Sequence, residues 1–286
     1  MYIRPILVLL CGLLFAACSS DNNHKNTEAV SIALQFPAGS AYMYTMDARQ
    51  TIRQEVAGMK TEMDQQMKLE SSYTVSAAGD DKRLSVNYDR FYIHSKSNGM
   101  SMEYDSGDST KQPPELAGAG NIVNHPFSII VNSKGEILKV EPVSDETATA
   151  AGYDDSTIRQ MMEQSLNIYP DKPVNIGDTW ERTYRTNIGF MDMQVASKYK
   201  LVSVANEVAH LEVNAVISSE PGGAAAMQGM KMEMNGTQKG TMDIDLKTGL
   251  ILDSKFTQDV KGKMSMSGTE IPLELTSETR ILGRMK

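Results

Sequence analysis

Cysteine is almost absent from this sequence, and its placement limits what the chain can do. The 286 residues include two cysteines, Cys11 and Cys18, both close to the N-terminus. The chain beyond them therefore has neither a disulfide nor a thiol nucleophile. We expect the folded part of the protein to be stabilised by burial of apolar side chains rather than by covalent cross-links.

Positive charge and chemical motifs are also scarce. The formal net charge is −8, which argues against nucleic acid as a partner. The sequence has no glycine-rich phosphate loop, no nucleophile elbow and no paired carboxylates in a plausible cleft segment. It therefore predicts no enzymatic activity, no cofactor and no metal site, since its four histidines are scattered: His24, His94, His125 and His210.

The longest apolar run is at the N-terminus and marks an export signal. Arg4 precedes an apolar run over residues 6–15 that is too short for a stable membrane span. Two small residues and Cys18 follow the run. This order of basic, apolar and small residues is typical of a segment that is removed after export. An ordinary secretory signal with an incidental cysteine is the alternative.

The residues that end this signal, 15–18, resemble the lipobox of bacterial lipoproteins. The resemblance implies that Cys18 becomes the lipidated first residue of the mature protein and anchors it to a membrane. We therefore predict a signal peptide over residues 1–17 and a lipidated cysteine with a flexible polar tether over residues 18–28. The expected location is the outer membrane, with the protein either periplasmic or surface-exposed.

Apolar and polar residues alternate through most of residues 29–286, which predicts β-strands joined in successive hairpins. Residues 59–75 show this period of two, although the methionines at 59, 63 and 67 also fit one face of a helix. We predict a strand there because the matching segment around Met193 is a poor helix former. Pro272 predicts an edge position for the last strand.

One helix is predicted, at about residues 154–168. Ile158, Met161, Met162 and Leu166 have the spacing of one helical face, and acidic residues precede them. The helix separates two halves that read as copies of each other. The matches are residues 39–42 with 177–180, residues 73–76 and 84–87 with 199–202 and 211–214, and residues 102–105 with 242–245.

The predicted fold is mainly β, and it contains an antiparallel sheet curved into an open or half barrel. Two related halves form the sheet, and the single helix packs on it. The predicted β-rich domain covers residues 29–286. Its parts are half A at 29–141, a helical connector at 142–172 and half B at 173–286.

Several of these segments together resemble an uncharacterised lipoprotein family of Bacteroides-type Gram-negative bacteria, a domain of unknown function. They are the export signal with Cys18, residues 102–106 and 177–180, and the hairpins around Gly135 and Gly249. The hairpin at residues 245–252 is also similar to one in the lipoprotein-carrier fold, a half-barrel closed by helices over an apolar cavity. These resemblances imply a cell-envelope location and carry no catalytic residues.

Methionine is abundant, with 20 residues, many of them in Met-x-Met pairs. On a strand this spacing directs two thioethers to the same face, which predicts an adaptable apolar lining. Ligation of Cu(I) by thioethers is the alternative. The candidate residues that line an apolar ligand site are Tyr42, Tyr44, Met63, Met67, Met191, Met193, Met230, Met232, Met234 and Met242.

The sequence therefore predicts a lipid-anchored, non-enzymatic protein of the cell envelope. Its partners are the membrane, reached through the lipid anchor, and either an apolar small molecule or an envelope protein. A structural or assembly subunit of an envelope complex is one alternative, and methionine-based Cu(I) handling is another.

Overall fold

The computed structural model describes residues 29–56, 58–114, 116, 123–142, 155–188, 191–219, 230–266 and 269–286. The expected signal peptide, Cys18 and the tether lie outside the described residues. Among those described, no helix is both long and apolar enough to cross a membrane. The strands are β1 (Ala41–Val56), β2 (Met59–Ala78), β3 (Asp81–Ser97), β4 (Met100–Asp105), β5 (Phe127–Val131), β6 (Ile137–Pro142), β7 (Thr179–Ile188), β8 (Met191–Ala205), β9 (Val208–Ser219), β10 (Met230–Asp245), β11 (Ile251–Met266) and β12 (Thr269–Met285), and the α-helix is α1 (Asp155–Leu166).

All twelve strands belong to one antiparallel sheet. Its order is β6-β5-β3-β2-β1-β12-β11-β10-β9-β8-β7, and β4 pairs with the rest of β3. Among the described strands the sheet does not close on itself through hydrogen bonds, because β6 and β7 stand at the two ends of this order. The predicted fold class, a mainly β open barrel, is confirmed, and the described residues contain one α-helix.

Helix α1 lies between the two edges of the sheet. Arg159 donates a hydrogen bond to the carbonyl oxygen of Ile137 in β6. Gln164 Nε2 donates to Thr186 Oγ1 in β7 over 2.6 Å. A helix of 12 residues is only about 18 Å long. The edge strands β6 and β7 can both contact so short a helix only because the sheet is strongly curved.

The inward stripe of α1 holds it in this gap. Ile158, Met162 and Leu166 are each at most 4% exposed and belong to the main apolar cluster. Local propensity alone does not stabilise a helix of this length in water, so the packing of this stripe carries most of its stability. The helix predicted at about residues 154–168 is found at Asp155–Leu166.

The two halves repeat the same strand register. Gly39 and Gly177 both have positive φ, and their N–H groups donate to Val75 and Leu201 carbonyls over 2.8 and 2.7 Å. The aromatic strand that follows each glycine then pairs in the same way. The equivalent pairs are Tyr42–Tyr73 with Trp180–Tyr199, Val75–Leu84 with Leu201–Leu211, and Leu84–Ile129 with Leu211–Met242.

One predicted match between the halves is wrong, that of residues 102–105 with 242–245. Met242 pairs with Leu211, and the counterpart of Met242 in half A is Ile129. Half A divides this strand into β4 and β5, which pair with successive parts of β3. The residues inserted between β4 and β5 shift the sequence match by about half a strand.

Helix α1 occupies the position of a sixth strand. In half B the sixth element is β12, which pairs with β11 on one side and β1 on the other. In half A, where β4 and β5 count as one divided strand, the sixth element is α1, which contacts β6 on one side and β7 on the other. The ring of elements is thus completed by hydrogen bonds at one junction and by side chains at the other.

Two further strand predictions have different outcomes. Residues 59–75 lie within β2, so the predicted strand is confirmed. The edge position expected from Pro272 is wrong, because β12 lies between β1 and β11. The pairing of β12 with β1 stops at Leu273. The N–H that proline lacks is therefore not required by β1.

The segment before β1 closes one end of the barrel. Val30 and Val174 exchange backbone hydrogen bonds of 2.9 and 3.0 Å. The N–H groups of Leu34 and Gln35 donate over 2.8 Å to carbonyl oxygens in the β5–β6 and β10–β11 turns. This segment therefore joins equivalent turns of the two halves. Its buried side chains, Ile32, Leu34 and Phe36, fill the end of the core.

Candidate functional site

The two faces of the sheet differ in charge. We define the inner face as the one that carries Tyr42 and the other core residues, and residues paired across strands share a face. Within the described strands, the inner face of β1, β2 and β8–β12 carries no charged side chain. The outer face carries ion pairs between neighbouring strands, such as Arg53–Glu62 at 2.7 Å and Lys263–Glu270 at 2.8 Å.

The inner face carries two separate apolar clusters. The larger one, called here the main core, surrounds α1 and includes Tyr42, Leu84 and Leu211. The smaller one is the methionine cluster. Its residues are Met193, Val195, Ala215, Ile217, Met234, Val260 and Leu275, with Ile52, Tyr184, Met232 and Leu273 packed against them.

A row of polar side chains separates the two clusters. It follows one line of paired residues across ten strands, from β4 to β7, and we call it the glutamine row. The row residues Gln258, Ser197 and Arg182 show the division. Their sheet neighbours on one side, Phe256, Tyr199 and Trp180, belong to the main core, and those on the other side, Val260, Val195 and Tyr184, belong to the methionine cluster. The row consists of Met102, Ser95, Gln65, Gln50, Ser277, Gln258, Gln238, Ala215, Ser197 and Arg182, of which Met102 and Ala215 are apolar and Ala215 also belongs to the methionine cluster.

Hydrogen bonds run along the row in two directions from the β1–β12 junction. On one side, Ser277 Oγ donates to Gln258 Oε1 over 3.0 Å, and Gln258 Nε2 donates to Gln238 Oε1 over 2.6 Å. On the other side, Gln50 donates to Gln65, whose Nε2 donates to Ser95 Oγ over 2.9 Å. The amides therefore form two hydrogen-bonded chains, one on each side of the β1–β12 junction, inside a largely apolar wall.

The glutamine row also divides the candidate lining residues. Tyr42, Tyr44, Met67 and Met242 lie on the side of the main core, and Tyr42 is fully buried there. Met63, Met193, Met232 and Met234 lie on the side of the methionine cluster, as do the positions of Met191 and Met230, whose side chains are outside the description. The single lining that the sequence suggests is thus two groups with a polar boundary.

Tyrosines of the main-core group are structural. Tyr44 and Tyr73 pack with ring centroids 4.9 Å apart. Burial raises the pKa of Tyr73 to about 12 and raises the pKa of Tyr44 well above its usual value. Both therefore stay neutral at physiological pH and serve as large apolar groups with a polar tip.

The methionine side of the row ends in accessible side chains. Met59 and Met100 are 68% and 75% exposed. Met63, which pairs with Ile52 of β1 and Ser97 of β3, is half-buried. Met264 faces Met232 on the neighbouring strand and is also half-buried. Unbranched thioethers therefore extend from the packed methionine cluster to the rim of the sheet.

Grooves on the outer face do not include the candidate residues. Two grooves of about 780 and 830 Å³ are lined mainly by outer-face residues and share Arg49, Lys239, Thr257 and Glu278. The first is also lined by Gln50, Gln65, Gln258 and Ser277 of the glutamine row. Charges of both signs line them, and none of the ten candidate lining residues does.

The described histidines do not build a metal centre. His210 Nδ1 lies 2.8 Å from Asp243 Oδ1 on the outer face. Within the described ranges, no group of three or more His, Cys, Asp or Glu side chains could hold a metal ion. The pair therefore acts as a cross-strand polar contact between β9 and β10.

Sequence reasoning missed the glutamine row because it followed the apolar residues alone. The signal is a polar residue in the apolar phase of an alternating strand. Gln50 lies between Ala48 and Ile52 in that phase, and Gln258 lies between Phe256 and Val260. That the glutamines share one row depends on the register between strands, which the sequence does not show.

Comparison with protein families gives a direct match. A model described as a family of unknown function (DUF6263) matches residues 79–151 and 146–251. Together these segments cover more than half of the chain. The protein belongs to the DUF6263 family. The matched region runs from the β2–β3 turn to the start of β11 and includes α1, so the DUF6263 match covers both sides of the helical junction.

Comparisons with curated sequences and solved structures do not assign a function to this DUF6263 protein. No curated sequence matches it. A structure concerned with lipid–protein interactions in lipovitellin is 10% identical with a TM-score of 0.48, and the match covers 88% of this chain and 26% of that one. An outer membrane channel from Pseudomonas putida F1 is 7% identical with a TM-score of 0.26, covering 88% and 97%. At these scores the similarities do not extend to function.

Proposed function

We propose that this protein is a non-enzymatic, lipid-anchored component of the cell envelope that binds an apolar ligand on the methionine side of its inner face. The observation that carries the proposal is the half-buried and exposed methionines that continue the methionine cluster to the rim. An apolar surface of flexible side chains that is rimmed by charge is typical of a binding site. The candidate residues on that side are Met63, Met193, Met232 and Met234.

The chemistry of this surface suits a ligand of variable shape. Met has three rotatable side-chain bonds and a polarisable sulfur, so it packs against different partners with little strain. Because the described inner face of β1, β2 and β8–β12 carries no charged side chain, an apolar ligand there leaves no charged group unsolvated. An envelope protein that inserts an apolar segment would meet the same surface.

The position of the anchor supports access from the aqueous side. A tether of residues 18–28 spans at most about 39 Å when fully extended. The 16 residues of β1 span about 54 Å, and the strand begins beside the closed end that Val30 contacts. With Cys18 in the membrane, the closed end would be proximal and the methionine rim would face outward.

We expect the substitution Cys18→Ser to abolish lipid attachment. Cells that are fed radiolabelled palmitate should label the wild-type protein, and the variant should lose all label above background. Cys11→Ser is the matched control and should keep the label, because Cys11 lies within the expected signal peptide. Labelling of Cys18→Ser at the wild-type level would contradict the anchor.

We expect the substitution Met63→Glu to weaken binding of the apolar dye N-phenyl-1-naphthylamine by about tenfold or more, because a carboxylate would enter an uncharged surface. Titration of dye fluorescence measures the change. Met43→Glu is the matched control, since Met43 is half-buried on the outer face of β1 beside Arg284. Equal effects of the two variants would rule out the inner face as the site.

Native mass spectrometry of the gently purified protein distinguishes the alternative functions. An apolar adduct that detergent removes supports the ligand binder. A copper adduct would favour Cu(I) handling, for which the opposed positions of Met232 and Met264 are the relevant feature. A co-purified protein would favour the assembly subunit.

A further inference from the structure

The glutamine row is more polar than the inner face of a sheet needs to be if that face only packs in the protein core. Inner-face positions of a curled sheet are ordinarily apolar, and an amide placed there loses water that its neighbours must replace. Gln238 is 8% exposed and Ser277 is 9% exposed, so both are withdrawn from bulk solvent. Four amide side chains in one row therefore need a structural or functional reason.

Hydrogen bonds within the row leave part of its capacity unused. Gln258 Nε2 donates to Gln238 Oε1, and Gln50 Nε2 donates to Gln65. Among the described residues, Gln238 Nε2 has no acceptor and Gln50 Oε1 has no donor. The row thus presents an unused donor and an unused acceptor on the inner face.

Charge excludes several ligands from the row. Arg182, the one cationic member, donates to the carbonyl oxygen of Tyr169 and lies 3.0 Å from the Asp171 carboxylate. Its charge is therefore already paired. Neither cationic nor anionic side chains from β1, β2 or β8–β12 reach the inner face within the described strands. A charged ligand group would lack a counter-ion there.

We propose that the glutamine row binds the uncharged, hydrogen-bonding head of an amphiphile whose apolar tail lies on the methionine side. The proposal rests on the proposed apolar site and adds the class of ligand. A hydroxyl or primary amide head can accept from Gln238 Nε2 or donate to Gln50 Oε1, which lie three strands apart, whereas an ester head can only accept. The boundary between row and methionine cluster coincides with the boundary between head and tail.

The test uses two probes with one tail length, 1-decanol and decanoate, which compete with N-phenyl-1-naphthylamine. The wild-type protein should bind decanol about tenfold more tightly than decanoate, because a carboxylate finds no counter-ion. The double variant Gln238→Leu/Gln258→Leu should bind the dye as the wild type does and lose about tenfold in decanol affinity. Leucine approximates the size of glutamine, and replacing both partners of the Gln258–Gln238 hydrogen bond confines the cost in stability to the Ser277 hydroxyl, which loses Gln258 as its acceptor.

Matched variants keep the result interpretable. Gln66→Leu removes an amide from the outer face, where Nε2 donates to Asp47 over 3.0 Å, and should leave decanol binding unchanged. Gln50→Leu/Gln65→Leu tests the other half of the row if the first variant does not fold. Unchanged decanol affinity in a folded row variant, or equal affinity for decanoate, overturns the head-group assignment and leaves the apolar site standing. A wild-type protein that does not bind the dye overturns both.

Discussion

Replacing Gly135 with alanine is expected to lower the free energy of unfolding by more than about 4 kcal/mol or to prevent folding. Gly135 has φ +77°, and a Cβ added there would lie 1.8 Å from the carbonyl oxygen of Leu166, the last residue of α1. The obstructing atom belongs to the backbone, so no rotamer change relieves the clash. Helix α1 would have to leave the turn between β5 and β6.

Denaturant titration measures this effect against a close control. Gly99 has nearly the same backbone conformation, φ +80°, and a Cβ there would have no atom within 4 Å. Gly99→Ala should therefore show the conformational term alone, about 1–2 kcal/mol. Similar losses in the two variants would mean that α1 does not pack on this turn.

Because the two halves repeat, we expect the same clash at the equivalent turn of half B. Gly249 is the counterpart of Gly135, with φ +80°, and its added Cβ would lie 2.2 Å from the carbonyl oxygen of Ala33. In half A the helix approaches the turn glycine, and in half B the segment before β1 does so. Each turn therefore requires glycine for both conformation and space.

The substitution Met162→Ala is expected to lower the free energy of unfolding by about 3 kcal/mol. Met162 is 1% exposed and packs in the main core between the edge strands β6 and β7. Its loss leaves a cavity where side chains of α1 complete the ring of elements. Thermal or denaturant unfolding measures the change.

The adjacent residue supplies the control for this prediction. Met161 is half-buried at the margin of the same core. Met161→Ala removes the same atoms and should lower the free energy of unfolding by about 1 kcal/mol, because less apolar area is lost. A larger effect at Met161 than at Met162 would show that α1 presents a different face to the sheet.

Alternation in the sequence predicts most of the strands. The period of two in residues 59–75 competes with a helical spacing of methionines, and tertiary pairing decides in favour of β2. The matching segment around Met193 resolves the ambiguity because it has little helical propensity. Repeated patterns thus carry information that a single strand lacks.

Features that depend on pairing across the chain are not visible in the sequence. Gln50 and Gln238 lie far apart along the chain and share one row only because β1, β12, β11 and β10 are neighbours. The division of one strand into β4 and β5 likewise shifts the sequence alignment of the two halves, so residues 102–105 were matched to the wrong segment. The candidate lining was therefore predicted by residue type, and its division by the row required the register.

The position of α1 illustrates the same point. Its spacing predicts a helix with an apolar stripe, but the stripe does not say which strands it contacts. That α1 stands where half B has β12 follows from the topology. Arg159 donates to the β6 backbone and Gln164 donates to a β7 side chain, so α1 covers part of both sheet edges.

Photolabelling tests the central claim most directly. A 1-decanol analogue that carries a diazirine in its tail would be bound to the protein, irradiated and located by peptide mapping. The account predicts saturable labelling on inner-face positions of β10, β11 and β12, such as Met232, Met264 and Leu273, that unlabelled decanol suppresses. Labelling on the charged outer face, or labelling that decanol does not suppress, would contradict an apolar binding site inside the curled sheet.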